Sequence, residues 1–277
     1  MTPDANALVA LCREAGRAIL TVRARGIDVE RKDDHSPVTQ ADRAAEAIIL
    51  ARLRRDHSDI PIVAEEEASE GLAPERVGSR FFLVDPLDGT KEFVRGGTDF
   101  TVNVALVEDG QPRFGIVHVP ATDVTYLGTV GEGARRIEGS TSRAISCRAP
   151  ATPLAVVASK SHRTAETDAW IAAQEARHGT CETVSVGSSL KFCLLAEGLA
   201  DLYPRFGRTM EWDTAAGHAV LRAAGGCVLA LDGAGRGGEL AYDKRKQAND
   251  SDFANPHFVA YGDRTLVERT FRTITER

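Results

Sequence analysis

The sequence predicts an α/β (α+β) protein made of two layered halves, and three features carry that expectation. Amphipathic helical patterns open the chain. Short, bounded apolar runs and a hairpin signal follow them. Past Pro153 the texture changes to alternating strand and helix. The expected halves are residues 1–150, holding most of the acidic motifs, and residues 151–277, joined near Ala149 to Pro153.

In order, helices are expected from about Ala7 to Arg23 and from Gln40 to Asp56. Ile60 to Ala64 and Phe81 to Asp85 read as buried strands because they are short and apolar. Thr101 to Val107 and Arg113 to Pro120 flank Glu108-Asp109-Gly110-Gln111, a hairpin turn signal. Tyr126 to Val130 adds a strand before a Gly-rich turn. The second half then reads as strand 154–159, helix 165–177, strand 183–186, helix 188–200, helix 212–224 and strand 227–231. Gly233 to Gly238 reads as a surface loop, since no helical pattern follows it.

Composition narrows the class. With 43% hydrophobic and 27% charged residues the chain is globular rather than disordered. A formal charge of −6 excludes general affinity for a nucleic acid polymer, which needs a basic face, but allows a local pocket for one small nucleotide. Five scattered cysteines without a Cys-x-x-Cys pair suit a reducing compartment. No stretch has the ~18 apolar residues of a membrane span, so a cytoplasmic protein without stable membrane insertion is expected, peripheral association being left open.

The chemistry concentrates in Asp85-Pro86-Leu87-Asp88-Gly89-Thr90. Pro86 and Gly89 predict a turn that keeps the two carboxylates from diverging onto opposite strand faces. Amides near Gly89 and Thr90 suit an anion if a helix begins there, and the carboxylates beside them suit Mg²⁺ holding a phosphate. Glu65-Glu66-Glu67 follows a strand; Glu66 and Glu67 read as solvated loop residues. Asp213 in Glu211-Trp212-Asp213-Thr214 reads as a helix N-cap that can also present an oxygen to a metal, and Asp42 as a first-turn acid. The histidines form no ligand-spaced cluster, and His218 reads as a packing residue.

The combined pattern resembles the lithium-sensitive, magnesium-dependent phosphatase superfamily typified by inositol monophosphatase. The matching segments are Pro37-Val38-Thr39 through Asp42, Glu65-Glu66, Asp85 through Thr90, and Trp212-Asp213-Thr214-Ala215-Ala216-Gly217. Within it the chain is most similar to bacterial 3′(2′),5′-bisphosphate nucleotidases, through Lys91-Glu92-Phe93, Phe100 to Leu106, Val186 to Cys193 and Leu202 to Arg205. Alanine at 64, where many members carry Gly or Ser, is a departure.

The resemblance implies a layered αβαβα sandwich, two or three Mg²⁺ per site, and hydrolysis of the 3′-phosphate of adenosine 3′,5′-bisphosphate to AMP. It implies Glu65, Asp85, Asp88 and Asp213 as metal ligands with the Leu87 carbonyl. Asp42, Thr90 and Glu65 would prepare the attacking water; Asp88, Gly89, Thr90 and Asp213 would meet the scissile phosphate. His162, Ser188, Lys191 and Arg205 would hold the rest of the nucleotide. Ser188 and Lys191 are expected on one side of a helix, with Arg205 following after it, behind Tyr203-Pro204. A broader phosphatase acting on inositol phosphate, histidinol phosphate or fructose 1,6-bisphosphate and a non-hydrolytic sensor stand as alternatives, and a homodimer is left open.

Overall fold

The computed structural model describes residues 3–26, 29–31, 37–159, 163–231, 237–245 and 250–271. His162 and the Gly233–Arg236 part of the expected loop lie outside these residues.

Helix α1 (Ala5–Arg25) is capped by Asp4, and α2 (Gln40–Asp56) by Thr39. Between them β1 (Val29–Arg31) and β2 (Pro37–Thr39) form an antiparallel pair. The large sheet consists of β3 (Ile62–Ala64), β4 (Arg80–Asp88), β5 (Thr101–Glu108), β6 (Gln111–Val119), β7 (Val124–Thr129), β8 (Gly133–Glu138) and β9 (Thr141–Ile145). Its seven strands lie in sequence order; β3 and β4 are parallel and all later pairs antiparallel. Two short helices interrupt this half, α3 (Glu65–Ser69) after β3 and α4 (Thr90–Val94) after β4.

The second sheet has the order β11-β10-β12-β14-β13. It comprises β10 (Leu154–Ser159), β11 (Cys181–Val186), β12 (Leu202–Arg205), β13 (Cys227–Ala230) and β14 (Phe258–Tyr261). Helix α5 (Ala165–His178) crosses between β10 and β11, α6 (Leu190–Ala196) precedes β12, α7 (Glu211–Ala223) precedes β13, and α8 (Thr265–Phe271) follows β14.

Three apolar clusters define five layers. Leu8, Ile19, Ile49 and Leu53 of α1 and α2 pack on Phe82, Val104 and Ile116 of the large sheet. On its other side Leu83, Val107 and Val117 meet Phe192 of α6 and Ala216 and Val220 of α7, which also reach Val157 and Ala260 of the second sheet. Ile171 of α5 and Leu266 of α8 cover that sheet's outer face at Val156 and Val259. The order is therefore helix, sheet, helix, sheet, helix, as the resemblance implied.

Glycines determine how closely α7 approaches the large sheet. Gly115 of β6 and Gly128 of β7 are direct cross-strand partners. A Cβ on Gly128 would lie 2.5 Å from Val220 Cα, and one on Gly115 would strike the Ala216 carbonyl. The run Ala215-Ala216-Gly217 supplies the matching small surface from the helix, Gly217 itself lying against Phe192. Gly115→Ala is expected to cost about 1–3 kcal/mol through overpacking, read as a lower urea midpoint; an unchanged midpoint would deny the close approach.

The structure departs from the sequence expectations in several places. The Gly-rich turn after Val130 opens into the β8–β9 hairpin, invisible as a pattern because its residues are largely exposed, Arg135, Glu138 and Arg143 among them. The helix expected over 188–200 is confined to Leu190–Ala196, so Ser188 precedes it and is not on its face. Arg205 follows that helix as the last residue of strand β12, an element the sequence did not announce. The ladder of β4 continues through Pro86 to Asp88, where a turn was expected.

Candidate active site

The end of β4 and the starts of α3, α4, α6 and α7 meet around one cavity of about 1070 Å³, and the start of α2 reaches it through Thr90. Thr39 and Asp42 form a reciprocal cap at the start of α2, with Thr39 N and Oγ1 each donating to Asp42 Oδ2 at 2.7 Å. Asp42 is thereby held buried with its other oxygen, Oδ1, 3.1 Å from Thr90 Oγ1. The Thr90 hydroxyl also lies 3.1 Å from the Leu87 carbonyl. Burial pushes the Asp42 carboxyl up to about 6, against the hydrogen bonds from Thr39.

Asp85 and Asp88 reach the same site through a β-bulge. Asp85 pairs with Asn103 and Asp88 with Thr101, so three steps on β4 oppose two on β5. That extra residue cancels the alternation that would send the two acids to opposite faces. Pro86 has no amide to lose from the ladder, which suits it to this position. Gly89 then turns the chain with φ +94°, where a Cβ would lie 2.8 Å from the Asp99 carbonyl. Helix α4 begins immediately after it at Thr90, as an anion cradle requires.

Glu65 is the first residue of α3 and lines the cavity. Its neighbours are not the solvated loop expected: Glu66 is buried, and Glu67 lies 2.7 Å from Arg54 through both carboxylate oxygens. The amides of Glu66 and Glu67 are satisfied by Glu46 of α2.

Asp213 is the third residue of α7, not its N-cap; Met210 caps the helix and its amide donates to Asp213 Oδ2 at 2.8 Å. Ser189 joins this helix to β4. Its hydroxyl lies 2.9 Å from Asp88 Oδ2 and 2.7 Å from the Asp213 carbonyl, and receives Asn103 Nδ2 at 2.9 Å. Nothing in the sequence separates Ser189 from Ser188 as the inner hydroxyl. Ser188 itself lines the cavity at φ +50°, uncommon for a non-glycine residue.

Two buried cations face the acids. Lys191 donates to the Ser188 carbonyl at 2.5 Å and lies 5.3 Å from the Tyr203 ring centre. Burial lowers it to about 8, against the attraction of Asp88. Arg205 is folded back onto the carbonyls of Gly207 and Arg208, at 3.2 and 2.8 Å. Both line the cavity with Ser188, although Ser188 and Lys191 meet there across a helix start and not along one helix face.

The acids strongly perturb one another. Burial, then the charges of Glu65, Asp88 and Asp213, push Asp85 well above the usual carboxylate range. Asp88 is raised by burial despite Lys191, and Asp213 is raised to about 8 by burial and then by Asp88 and Glu65. Among the described residues, no three such side chains are already closed on one point as a ligand set. Even so, the donor chemistry fits a hard cation: Asp85 Oδ1 accepts from Leu87 N at 3.0 Å, while its buried Oδ2 has no hydrogen-bond partner. Oxygen donors with mutually repelling charge suit Mg²⁺ rather than a softer metal.

His218, read from the sequence as a packing residue, is fully buried with Nδ1 2.9 Å from Tyr242 OH. The five cysteines are all free, four of them buried. Among the described residues, no helix is long and apolar enough to cross a membrane.

A five-layer fold with this acidic centre defines a class, and the chain belongs to the inositol monophosphatase family, whose model matches residues 1–261. It is 44% identical over 250 residues to the 3′(2′),5′-bisphosphate nucleotidase CysQ of Escherichia coli O157:H7, covering 90% of this chain and 95% of that one. The protein of the same name from Buchnera aphidicola is 38% identical over 252 residues, 90% of each chain. The crystal structure of CysQ from Bacteroides thetaiotaomicron superposes with a TM-score of 0.74 at 36% identity, over 92% of this chain and 96% of that one. The Thermotoga maritima IMPase gives a TM-score of 0.75 at 26% identity, over 96% and 94%.

Proposed function

We propose that this chain is a Mg²⁺-dependent nucleotidase that hydrolyses the 3′-phosphate of adenosine 3′,5′-bisphosphate to AMP and phosphate. The observation that carries this reading is the pairing, in one cavity, of the acidic centre with the buried cations Lys191 and Arg205. A simple monoester needs only the first; a second phosphate needs the second. The names of the relatives at 44% and 38% identity support the same substrate.

In this reading Glu65, Asp85, Asp88, Asp213 and the Leu87 carbonyl hold two or three Mg²⁺, which supply charge to the phosphoryl oxygens and acidity to the attacking water when bound. Glu65 faces that water from α3. Asp42 fixes the Thr90 hydroxyl, and the pair orients the water and takes up its proton. Asp88, Gly89, Thr90 and Asp213 surround the scissile phosphate. Ser188, Lys191 and Arg205 hold the 5′-phosphate, a guanidinium adding directional bonds to the charge of the ammonium. His162 remains a candidate for a further contact. Residues 1–150 then form the catalytic half, while 151–277 supply specificity and Asp213. Five free thiols suit a cytoplasmic setting.

The test is kcat/KM with Mg²⁺ for adenosine 3′,5′-bisphosphate against inositol 1-phosphate, histidinol phosphate and fructose 1,6-bisphosphate. A preference of about 100-fold, on the order of 3 kcal/mol in transition-state binding, is expected. A flat profile would sink the nucleotide assignment and leave a broad phosphatase, and no turnover on any of them would favour a sensor. Lys191→Ala and Arg205→Ala are expected to raise KM for the bisphosphate by about 10–100-fold while sparing the monoesters. Equal losses on all substrates would assign both cations a structural role.

A further inference from the structure

Helix α3 presents Glu65 at its first residue but has no cap of its own. Its N-cap residue, Ala64, makes no side-chain capping hydrogen bond. The amides of the first turn are met from another element. Glu46 of α2 accepts from Glu66 N at 2.9 Å through Oε2 and from Glu67 N at 3.0 Å through Oε1. One carboxylate thus closes both amides, and a helix N-terminus is where an anionic acceptor is favoured.

Glu46 is 5% exposed and is not among the residues lining the cavity. It follows Asp42 by four residues on α2, so both carboxylates leave the same helix face. Asp42 reaches Thr90 at the start of α4; Glu46 clasps the start of α3. One rigid helix therefore holds both sides of the centre.

We propose that Glu46 is a positioning residue that caps α3 from α2 and so fixes Glu65 relative to Asp42 and Thr90. The proposal rests on the reading of Glu65 as a metal ligand. Glu46 touches neither substrate nor ion; it acts through the helix it closes. Ala64 is what makes it necessary, since a methyl group has no lone pair to offer the first-turn amides. The backbone at Ala64, φ −118° and ψ 147°, is the extended conformation from which a serine would cap the helix locally.

That geometry supplies a rescue experiment. Wild type, Glu46→Gln, Glu46→Ala, Ala64→Ser and the Glu46→Ala/Ala64→Ser double variant are compared by calorimetric Mn²⁺ titration without substrate, by thermal melting, and by steady-state kinetics on adenosine 3′,5′-bisphosphate. Glu46→Gln and Glu46→Ala are expected to weaken Mn²⁺ binding by about tenfold or more, the usual effect of losing an outer-shell support. KM for the nucleotide at saturating Mg²⁺ should move by less than about twofold, because Lys191 and Arg205 stand on other elements. Ala64→Ser should restore most of the Mn²⁺ affinity in the double variant while changing little alone.

Wild-type Mn²⁺ affinity in Glu46→Ala would overturn the proposal. So would a double variant that regains its melting temperature without regaining Mn²⁺ binding, which would make the cap a structural prop. If the wild-type protein itself binds no Mn²⁺, the metal reading of Glu65 fails, an outcome distinct from the other two.

Discussion

Asp88→Asn is expected to lower kcat/KM by at least about 10³-fold, the scale set by removing a charge that organises phosphoryl transfer. The substitution is nearly isosteric. An asparagine oxygen can still accept from Ser189, which touches Asp88 Oδ2 at 2.9 Å, so the link between β4 and α7 survives. What disappears is one negative charge among Glu65, Asp85 and Asp213, all of which interact with one another. Without bound cation that loss relieves repulsion, so the melting temperature should hold or rise. The same variant removes the partner that keeps Lys191 protonated against its burial, so Lys191 should titrate below its present value of about 8 and hold an anionic ligand less well at pH 8. Phosphate release and thermal melts with and without Mg²⁺ check both parts. Near wild-type turnover would remove Asp88 from the metal centre, whereas lost turnover with a collapsed melt would make it a folding residue.

Much of this centre is legible in the sequence because its acids stand at the ends of recognisable elements. The apolar run before Asp85 and the helix pattern after Asp42 place each carboxylate at a strand exit or helix start without knowledge of the fold. Less legible is how those ends are joined. The bulge at Asp85–Asp88 depends on the register against Asn103 and Thr101, which a single strand does not encode. Ser189 and Glu46 matter through contacts 101 and 20 residues distant in sequence, and nothing local distinguishes them from an ordinary helix-start serine and helix glutamate. The β8–β9 hairpin escapes notice for the opposite reason: it buries almost nothing, so no apolar alternation marks it. The αβαβα order came from family resemblance, since periodicity cannot say that α7 would cover a sheet built before residue 150. The glycine pair at 115 and 128 and the small run at 215–217 contain that information, but only once they are known to face each other.

Metal-stripped protein should lose stability as pH rises from about 5 to 8, and Mg²⁺ should reverse the loss. The cause is a set of carboxyls whose affinity for protons is higher folded than unfolded. Burial raises Asp42 from 3.8 to about 6, Glu46 from 4.5 to about 7 and Asp213 from 3.8 to about 8. Between the unfolded and folded values the native state binds more protons than the unfolded chain, so the stability slope with pH is negative. The contribution is fully present only below the unfolded values of 3.8 and 4.5, where both states are protonated, and is lost as pH passes through about 6 to 8. Asp42 alone, 1% exposed, corresponds to about 3 kcal/mol. Asp213 opens onto the cavity, where water softens the penalty, so its share is smaller than its shift suggests. Urea denaturation in EDTA at pH 5, 6.5 and 8 reads the slope, and Asp42→Asn should flatten its lower part. Divalent cation opposes the trend because it binds the ionised carboxylates and competes with their protons, so its stabilisation should grow with pH. A stability curve that rises with pH in EDTA, or one that Mg²⁺ leaves unchanged at pH 8, would mean that the buried acids are neutralised within the protein and not by a bound ion.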